Sequence, residues 1–520
     1  MSSITYATVY TQGLGDDEKS RAYERELTRL REAGSPRACG HHIAGQEIDS
    51  GPAFDRADPS DASRVVSRGR LADGELVDRA VAAAREALPD WRRTDYHQRA
   101  EILRRTLQAI ERRHVELAAL LTLETGKTRA DAFAEVAECA AIVELYCNQV
   151  TAAEGFVVAH RPPSPTSHAD VVLLPYGVFG VISPFNFPLA ISFGMTAAAL
   201  IMGNTVVFKP SPLTPACGQA FAQLFDGVGL PTGVLNLVQG GSETGQALAG
   251  AAVDGIAFTG SADVGLDFVA RFGRPPFVRP VLAEMGGKNP AIVTDAAGDL
   301  DTAARAVARS AFGMSGQKCN ACSRAIVTDG VYDDFIERLC AITSELVVAD
   351  PIDASAFTGP VISDSSVARF QESVALARQD GRVLVGGGSA GGPGHFVELT
   401  LVDRLPSAHP LTRDELFVPI VSVVRAGDLD EALAEANAIR YGLSAGIFSN
   451  DPRERERFLD EIEAGIVFLN NPGGATTGVW PGSQTMSGWK GSGSAGKGGF
   501  GPWYLHQFGR EQSRTVFDVA

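Results

Sequence analysis

The segment AFGMSGQKCNACSR places Cys319 after small and polar residues rather than inside an apolar core segment. Two motifs precede it: ISPFNFP contains Asn186, and LAEMGGKNP contains Glu284. A thiolate can attack a carbonyl carbon, an amide can donate to the resulting oxyanion, and a carboxylate can activate water. These three side chains predict an enzyme that acts on a carbonyl compound through a thioester.

Length and composition limit the class of protein. The 520 residues suffice for two or three domains, and the hydrophobic fraction of 45% is typical of globular proteins. The net charge of −16 disfavours nucleic acid as a partner. The chain has neither an apolar run that predicts a membrane span nor a secretory signal pattern. Seven scattered cysteines favour reduced thiols and a cytoplasmic location.

Residues 176–284 alternate short apolar runs with Ala-rich stretches that are compatible with helix. The runs VFGVIS, NTVVFKP, VLNLVQG, DGIAFTG and PVLAEMG predict parallel strands of an α/β sheet, whose carboxyl ends would meet a ligand. A second α/β block is predicted over 288–468. Residues 155–175 predict a projecting hairpin, and the chain after 470 predicts an added strand.

Two glycine-containing segments are candidates for dinucleotide binding. In FTGSADVG, Gly260 and Gly265 flank a strand-to-helix turn, where free N–H groups suit a pyrophosphate, although a plain turn has the same pattern. GSGSAG at 491–496 matches G-x-G-x-x-G, but no buried strand leads into it and too few residues follow for a βαβ unit. A flexible loop is expected there.

Other polar residues are ambiguous alone. Lys209 suits a ribose or phosphate, but a solvated lysine fits the pattern equally well. Glu415 in DELFVPI suits ribose hydroxyls, but a helix cap fits that position equally well. Phe417 suits a nicotinamide ring, and a ring packed in the core fits equally well. Cys319 and Cys322 form C-x-x-C, but without further ligands a zinc site is disfavoured, and a dithiol switch is a minor alternative. A cysteine hydrolase needs a histidine, and none lies in a recognisable motif.

In order, ISPFNFP, GNTVVFKPSPLTP, FTGSADVG, LAEMGGKNP, GQKC, DELFVPI and YGLSAGIF resemble the motifs of the aldehyde dehydrogenase superfamily. The resemblance implies an α/β aldehyde dehydrogenase fold with a parallel-sheet cofactor domain, an α/β catalytic domain and a small β oligomerisation element. The expected ranges are 1–154 with 176–285, then 286–470, and 155–175 with 471–520. It also implies NAD or NADP, an aldehyde substrate, and a homodimer or homotetramer; no metal is expected.

The same resemblance assigns roles to single residues. Cys319 is the expected nucleophile, Asn186 and the Cys319 N–H form the expected oxyanion hole, and Glu284 is the expected base for thioester hydrolysis. The expected cofactor-binding residues are Ile182, Ser183, Pro184, Phe185, Lys209, Ser211, Gly241, Gly260, Ser261, Val264, Met285, Gly286, Glu415 and Phe417.

Within the superfamily, GQKCNACSR, AEMGGKNPAIV and WKGSGSAGK…REQSRT most resemble Δ1-pyrroline-5-carboxylate (glutamate γ-semialdehyde) dehydrogenases. Glutamate γ-semialdehyde is therefore the leading substrate, bound through residues that flank the cysteine and through a loop of T-G-A type. The alternatives are a less polar or pathway-specific aldehyde, and a cysteine-dependent thioester or ester hydrolase. The expected substrate-binding residues are Phe187, Lys318, Asn320, Gly478, Val479 and Met486.

Five residues depart from the family pattern. Asn320 replaces the usual Ser, and Met486 and Ser487 replace Phe and Gly, which alters an aromatic wall near the thiol. Pro212 stands where many NAD-preferring members have a carboxylate, so the choice between NAD and NADP stays open. Phe185 replaces the commoner Trp, with little expected effect.

Overall fold

The computed structural model describes residues 17–406 and 408–517. They form two seven-stranded sheets, two three-stranded sheets and one two-stranded sheet, with helices packed around them. The first sixteen residues of the expected cofactor-domain range lie outside the described residues. No helix in the described part of the chain is long and apolar enough to cross a membrane.

The α-helices are Asp17–Arg31, Gly74–Arg93, Tyr96–Thr125, Arg129–Ala152, Ala190–Ile201, Pro215–Gln223, Ser242–Gly250, Ala262–Phe272, Leu300–Phe312, Tyr332–Glu345, Asp364–Asp380, Pro410–Arg413, Leu429–Asn437 and Pro452–Glu461. Short 3-10 helices cover Glu154–Phe156, Gly313–Gly316 and Leu505–Phe508. The strands are β1 Arg37–Cys39, β2 His41–Ile43, β3 Gln46–Ile48, β4 Ala53–Asp58, β5 Asp61–Arg70, β6 Val157–His160, β7 Ser167–Pro175, β8 Val178–Ile182, β9 Thr205–Lys209, β10 Leu235–Leu237, β11 Gly255–Gly260, β12 Val281–Met285, β13 Asn289–Val293, β14 Cys322–Thr328, β15 Arg382–Val385, β16 Thr400–Asp403, β17 Ile420–Ala426, β18 Tyr441–Gly442, β19 Ser444–Phe448, β20 Ile466–Leu469, β21 Trp489–Lys490 and β22 Gly509–Phe517.

The first seven-stranded sheet has the order β12-β11-β8-β9-β10-β2-β3. Strands β8 to β12 pair in parallel, with Val181 opposite both Ala257 and Phe208, and the β2-β3 hairpin joins antiparallel at the far edge. All five residues of β8 and of β9 are buried, because helices cover both faces of a parallel sheet. The parallel sheet predicted for 176–284 is confirmed, and its strands end at one common edge.

The second seven-stranded sheet has the order β15-β16-β17-β14-β13-β19-β20. Its strands pair in parallel apart from β15, which lies antiparallel on β16. This confirms the second α/β block, and it places β13, which directly follows the Glu284 strand in the chain, inside the sheet. The domain boundaries themselves stay a prediction.

The smaller β element combines the hairpin and the C-terminal strand. Strands β6 and β7 pair antiparallel, and β22 pairs with β7 from Gly509 opposite Pro175 to Phe517 opposite Ser167. The two sequence predictions, a hairpin over 155–175 and a late strand, are both confirmed. The late strand joins the sheet of its own chain.

The glycine-rich segment 491–496 is irregular, as expected for a loop, but it is anchored rather than free. The Met285 N–H donates to the Ser492 carbonyl at 2.9 Å, and the Ser494 N–H donates to the Ala283 carbonyl at 3.0 Å. The segment therefore runs along the outer edge of β12. Sequence patterns did not reveal this because backbone pairing requires no particular side chain.

A buried arginine connects the elements around the second sheet. Arg324 on β14 has no exposed surface, and its guanidinium donates to the carbonyls of Lys288, Glu435 and Ala436 at 3.1, 2.9 and 2.9 Å. These bonds tie β14 to the turn before β13 and to the end of the helix Leu429–Asn437. The Glu435 carbonyl also accepts from Arg413 at 3.5 Å, so Arg324 is the main side-chain donor to this group of buried carbonyls.

Replacing Arg324 by Met should lower the free energy of unfolding by about 3 kcal/mol, since three buried carbonyls lose a charged donor. Thermal unfolding followed by circular dichroism measures the change. Arg457→Met is the matched control, because Arg457 pairs with Glu461 at the surface and should change the melting temperature little. Equal shifts in the two variants would show that the Arg324 bonds contribute no more than a surface pair.

Candidate active site

A pocket forms where the end of β12 and the turn before β14 meet the helices Arg129–Ala152 and Ala190–Ile201. It encloses about 1010 Å³, counting its open mouth. Its wall includes two of the three expected catalytic side chains, those of Cys319 and Glu284, and no histidine among the described residues. All six residues expected to bind substrate also line it: Phe187, Lys318, Asn320, Gly478, Val479 and Met486.

The backbone before Cys319 is held in an unusual conformation. Met314, Ser315 and Gly316 have φ angles of 55°, 53° and 70°, in the left-handed region that non-glycine residues rarely adopt. The Ser315 N–H donates to Thr358 Oγ1 at 2.7 Å, and a Cβ atom on Gly316 would lie 2.8 Å from the Val418 carbonyl oxygen. These surrounding contacts stabilise the strained turn. The turn in consequence holds the Cys319 thiol in one position.

Asn289 holds the Cys319 backbone from the other side. Its Nδ2 donates to the carbonyls of Cys319 at 2.8 Å and Ala321 at 2.9 Å, and its Oδ1 accepts from the Ser444 N–H at 2.9 Å. A Cβ atom on Gly287 would lie 2.4 Å from the Cys319 carbonyl oxygen, so only glycine permits this approach. Sequence analysis missed Asn289, although it lies in the same GGKNP motif.

The Cys319 thiol is protonated in the chain as it stands. Burial raises the pKa of the thiol to about 12, and the nearby carboxyls of Glu415 and Glu284 add to the shift. No lysine or imidazole compensates, which distinguishes this site from the ion pairs that activate many catalytic cysteines. A cation or a base must therefore reach the thiol before it reacts.

Asn186 lies beside the Cys319 turn but not on the pocket wall. It is buried, and its Nδ2 donates to the Gln317 carbonyl at 3.1 Å. The second amide hydrogen has no acceptor among the described residues. The expected oxyanion donor therefore contacts a residue that precedes the nucleophile by two positions in the chain. One N–H of its amide group is still available to the oxyanion.

Glu284 lies at the carboxyl end of β12, where Oε1 accepts a hydrogen bond from the Gly499 N–H at 2.7 Å. Burial raises the pKa of its carboxyl to about 7, although the Gly499 bond opposes the shift. A carboxyl group with a pKa near neutrality can both accept and release a proton at physiological pH, as general bases do.

Most of the expected cofactor residues gather at one edge of the first sheet. Ile182, Lys209, Gly260 and Met285 end their strands there, and others follow in the adjoining turns. Two helices begin at this edge, and their N-cap residues, Gly241 and Ser261, make no side-chain cap bond. Their free N–H groups and positive dipole ends suit a pyrophosphate. The expected residues in the turns and the first helical turn are Ser183, Pro184, Phe185, Ser211, Gly241, Ser261, Val264 and Gly286.

Lys209 is already bound within the protein. Its Nζ donates to the carbonyls of Pro210 at 2.8 Å and Gly240 at 2.9 Å, and burial lowers the pKa of the amine to about 8. The alternative of a solvated lysine is therefore wrong. The ammonium lies beside the turn before the helix Ser242–Gly250, where a ribose or phosphate could replace a carbonyl contact.

Glu415 and Phe417 bring the second α/β block to the same edge. Glu415 Oε1 accepts from the Gly287 N–H at 2.9 Å, and burial raises the pKa of this carboxyl to about 7. A Cβ atom on Gly286 would lie 2.0 Å from Glu415 Oε2, so any other residue there would displace the Glu415 carboxylate. The rings of Phe417 and Phe185 meet edge to face, with centroids 5.8 Å apart. These contacts and the uncapped helices fit a nicotinamide dinucleotide.

Charged residues on the helix Arg129–Ala152 were missed by the sequence analysis. Lys127 and Glu135 form a buried ion pair, and Glu135 Oε1 also accepts from the Leu189 N–H at 2.8 Å. Glu138, one turn further, lines the pocket, and burial together with the Glu135 charge raises the pKa of its carboxyl to about 8. The available signal was an acidic pair three residues apart in an Ala-rich helix.

The geometry agrees with comparisons to known proteins. A model described as the aldehyde dehydrogenase family matches residues 47–513. The chain belongs to the aldehyde dehydrogenase family. It is accordingly an oxidoreductase that uses NAD or NADP to convert an aldehyde to a carboxylic acid through a cysteine thioester.

Similar dehydrogenases cover nearly the whole chain. A 1-pyrroline-5-carboxylate dehydrogenase of Geobacillus sp. (strain WCH70) is 36% identical over 511 residues, which span 96% of each sequence. The structure of a 1-pyrroline-5-carboxylate dehydrogenase from Thermus with bound NAD has a TM-score of 0.92 and 31% identity, covering 97% of each chain. Proline utilization A from Bdellovibrio bacteriovorus has a TM-score of 0.91 and 33% identity; this chain spans 52% of it.

The environment of this dehydrogenase's thiol predicts how it reacts without cofactor. Iodoacetamide should alkylate Cys319 slowly near pH 7.5, with a rate that rises about tenfold per pH unit because only the thiolate reacts. At pH 9, Glu415→Gln should increase the rate about threefold, since it removes a negative charge that raises the thiol pKa. Peptide mass spectrometry of Cys319 measures the rate.

Glu415→Asp is the control, because it keeps the charge and should leave alkylation close to the wild-type rate. Cys319→Ala gives the background from the other thiols, including the half-buried Cys340. An unchanged rate in Glu415→Gln would show that the Glu415 charge does not act on the thiol.

Proposed function

We propose that this aldehyde dehydrogenase oxidises glutamate γ-semialdehyde, the open-chain form of 1-pyrroline-5-carboxylate, to glutamate. Relatives that carry the 1-pyrroline-5-carboxylate dehydrogenase name match it over nearly their full length. The observation that carries the proposal is the pocket itself, which combines an aldehyde-reactive thiol with the Lys318 ammonium, the Glu138 carboxyl and two unpaired backbone donors. These groups complement the carboxylate and ammonium of an α-amino acid.

The α-carboxylate of the substrate is bound beside Cys319, by Lys318 and by the backbone at Gly478 and Val479. The Lys318 ammonium contacts Asp131 only at 3.7 Å, beyond hydrogen-bond distance, and its side chain is 11% exposed. Gly478 and Val479 line the same pocket, and their backbone N–H groups have no acceptor among the described residues. Both residues are partly exposed, and each unpaired N–H is available to donate to a carboxylate oxygen of the substrate.

The α-ammonium is bound by Glu138. Its carboxyl lines the pocket with a pKa near 8, and Lys127 and Lys318 are the cations that already act on it. An incoming ammonium would favour the ionised form and form a charge-assisted hydrogen bond with it. An aldehyde without an amino group leaves this carboxyl neutral.

Catalysis uses three side chains and one backbone group. Cys319 attacks the aldehyde carbon as a thiolate, while the free N–H of Asn186 and the Cys319 N–H donate to the oxyanion. A nicotinamide held near Phe185, Phe417 and Glu415 would supply the acceptor for the hydride that leaves the carbon, which would convert the adduct to a thioester. Glu284 then takes a proton from the water that attacks this thioester, and Cys319 is the leaving group.

Glu284→Gln should separate the two half-reactions. A burst of reduced cofactor should remain in stopped-flow absorbance, while steady-state turnover should fall about 100-fold or more, because the thioester loses its base. In the wild-type enzyme, the rate of thioester hydrolysis should rise with pH through about 7, where Glu284 loses its proton, and this rise should vanish in the variant.

Cys319→Ala is the control for that experiment and should give neither burst nor turnover while still binding cofactor. Loss of the burst in Glu284→Gln would show that Glu284 acts before hydride transfer instead.

The substrate assignment is tested with glutamate γ-semialdehyde and hexanal, with NAD and NADP in parallel. Lys318→Met should raise KM for the semialdehyde about 30-fold or more, because the carboxylate loses a charged donor, and should change kcat/KM for hexanal less than about threefold. Lys490→Met is the matched control, since Lys490 pairs with Glu463 at the surface.

Faster turnover of hexanal than of the semialdehyde would favour the second candidate, a less polar aldehyde. The specific feature behind that candidate is an apolar wall made by Met486, Val479 and Leu443, with Trp480 beside them.

We also propose a homodimer or homotetramer in the cytoplasm. The edge strands β6 and β22 expose apolar side chains that a partner copy would cover: Val157, Val158, Val516 and Phe517 are 48 to 58% exposed. All seven cysteines are free thiols, which fits a reducing compartment. Sedimentation equilibrium measures the assembly state.

A further inference from the structure

The residues of the proposed reaction occupy only one end of the second seven-stranded sheet. Cys319 lies just before β14, Glu415 lies just before β17, and Asn289 is the first residue of β13. All three positions are at the amino ends of parallel strands. In open α/β sheets, ligands usually bind outside the carboxyl ends, where neighbouring connections diverge. The proposed reaction leaves that end of this sheet unused.

The chain leaves β14 and β17 on opposite faces of the sheet. These strands are neighbours, but β14 leads into the helix Tyr332–Glu345 and β17 leads into the helix Leu429–Asn437. The first helix shares a core cluster with Val327, and the second shares another with Ile326. Because successive residues of a strand point to opposite faces, the two helices cover opposite faces. The divergence opens a crevice at the carboxyl ends.

A cleft is present at this place. It encloses about 1370 Å³, counting its open mouth, and is larger than the substrate pocket by the same measure. Both diverging helices contribute to its wall, as do the end of β17 and the turn after β16. The cleft and the substrate pocket have no lining residue in common. Four arginines and one tyrosine line the cleft: Arg382, Arg404, Arg413, Arg425 and Tyr332.

Four carboxylates also line the cleft, and each of them already has a partner within the protein. An incoming anion would therefore meet paired carboxylates rather than free ones. The contacts are Asp403 with Arg382 at 2.6 Å, Glu435 with Arg413 at 2.7 Å, Asp333 with Arg425 at 4.0 Å, and Glu431 with the Gly427 N–H at 2.7 Å; Arg425 also binds Asp329 at 2.6 Å.

Arg404 is the guanidinium of the cleft that has no ion pair or hydrogen bond among residues 17–406 and 408–517. It directly follows β16 and has a φ angle of 57°, in the left-handed region that residues with a side chain rarely adopt. Residues held in such conformations cluster at ligand contacts. Arg404 is exposed, so an anion in the cleft could bind it without breaking an internal pair.

The Tyr332 hydroxyl is a second open donor in the cleft. The residue is 6% exposed, and its hydroxyl has no hydrogen-bond partner in the described part of the chain. The Arg425 guanidinium lies over the ring, with Cζ 4.5 Å from the ring centroid. Burial raises the pKa of the hydroxyl to about 12, and the Asp403 charge adds to the shift. The charges of Arg425, Arg382 and Arg404 oppose it, so three guanidiniums act on one protonated donor.

We propose that this cleft binds a small organic anion through carboxylate or phosphoryl oxygens, with Arg404 and the Tyr332 hydroxyl as the direct donors. Hydrogen bonds from a guanidinium to such oxygens are about twice as strong as those between neutral groups. The carbon skeleton of the anion contacts the apolar side chains of Leu405, Pro406 and Val423 in the wall. The site is independent of which aldehyde the enzyme oxidises.

Isothermal titration calorimetry of the whole chain with saturating NAD tests this site, since NAD fills the expected pyrophosphate site. The test anions are pyrophosphate and succinate, with sodium chloride at matched ionic strength as the control for screening. At least one of the two should bind the wild-type protein at one site per chain. Arg404→Gln should weaken this binding about tenfold or more, and Tyr332→Phe about threefold or more, because each removes a donor.

Arg457→Gln is the matched control, because it removes a surface guanidinium that pairs with Glu461 outside the cleft, and it should bind like the wild-type protein. Lys318→Met should also bind like the wild-type protein, since Lys318 lines the substrate pocket instead. Thermal unfolding checks the fold of each variant, and either Arg404→Gln or Tyr332→Phe suffices if the other does not fold.

The outcomes decide both the site and the class of anion. Binding of pyrophosphate alone supports a phosphoryl ligand, and binding of succinate alone supports a carboxylate ligand. Absence of binding by both anions would overturn the proposal. Equal affinity in the wild-type protein and the cleft variants would overturn it too, as would a loss confined to Lys318→Met, which would place the anion in the substrate pocket.

Discussion

Three residues, Gly286 to Lys288, connect the last strand of one large sheet to an inner strand of the other. Within this connection the backbone must pass Glu415 on one side and the Cys319 carbonyl on the other, at distances that exclude a Cβ atom. The rest of the site depends on that close passage. It brings the carboxyl of Glu284, the thiol of Cys319 and the carboxyl of Glu415 into one small volume, although these residues come from distant parts of the chain.

The same crowding explains the electrostatics of the site. Glu284 and Glu415 both have carboxyl pKa values near 7, and the Cys319 thiol has a pKa near 12, because burial penalises each charged form. Three acidic groups in one volume cannot all carry charge without strong mutual repulsion. The cofactor-free protein therefore holds the thiol neutral and the two carboxyls only partly ionised near pH 7, and binding of cofactor and substrate must change their environment before chemistry begins.

Sequence patterns predicted the architecture and the part of the pocket wall around the thiol, for reasons that differ between elements. The strands of both large sheets are short apolar runs between breakers, so their periodicity is local and visible. Cys319, Glu284 and the residues at 478–479 lie in recognisable motifs. Asn289 and the Gly499 N–H were missed because each acts through a contact with a residue far away in sequence, and Glu138 was missed although Glu135 lies only three residues before it. Backbone donors carry no sequence signal at all, and the path of 491–496 depends on such donors together with the hydroxyls of Ser492 and Ser494, which donate to the Gly286 and Val281 carbonyls.

Strand β12 is the outermost strand of its sheet, and the segment around Ser492 and Ser494 covers its open edge. An uncovered edge strand is a template for pairing with other chains. During synthesis, the strand that carries Glu284 emerges about 200 residues before its cover, so its edge stays unprotected for seconds at ordinary translation rates. A segment made much later than β12 thus completes the base with the Gly499 N–H and covers the edge of the sheet, so that a nascent chain without this segment is inactive and prone to association at the same time.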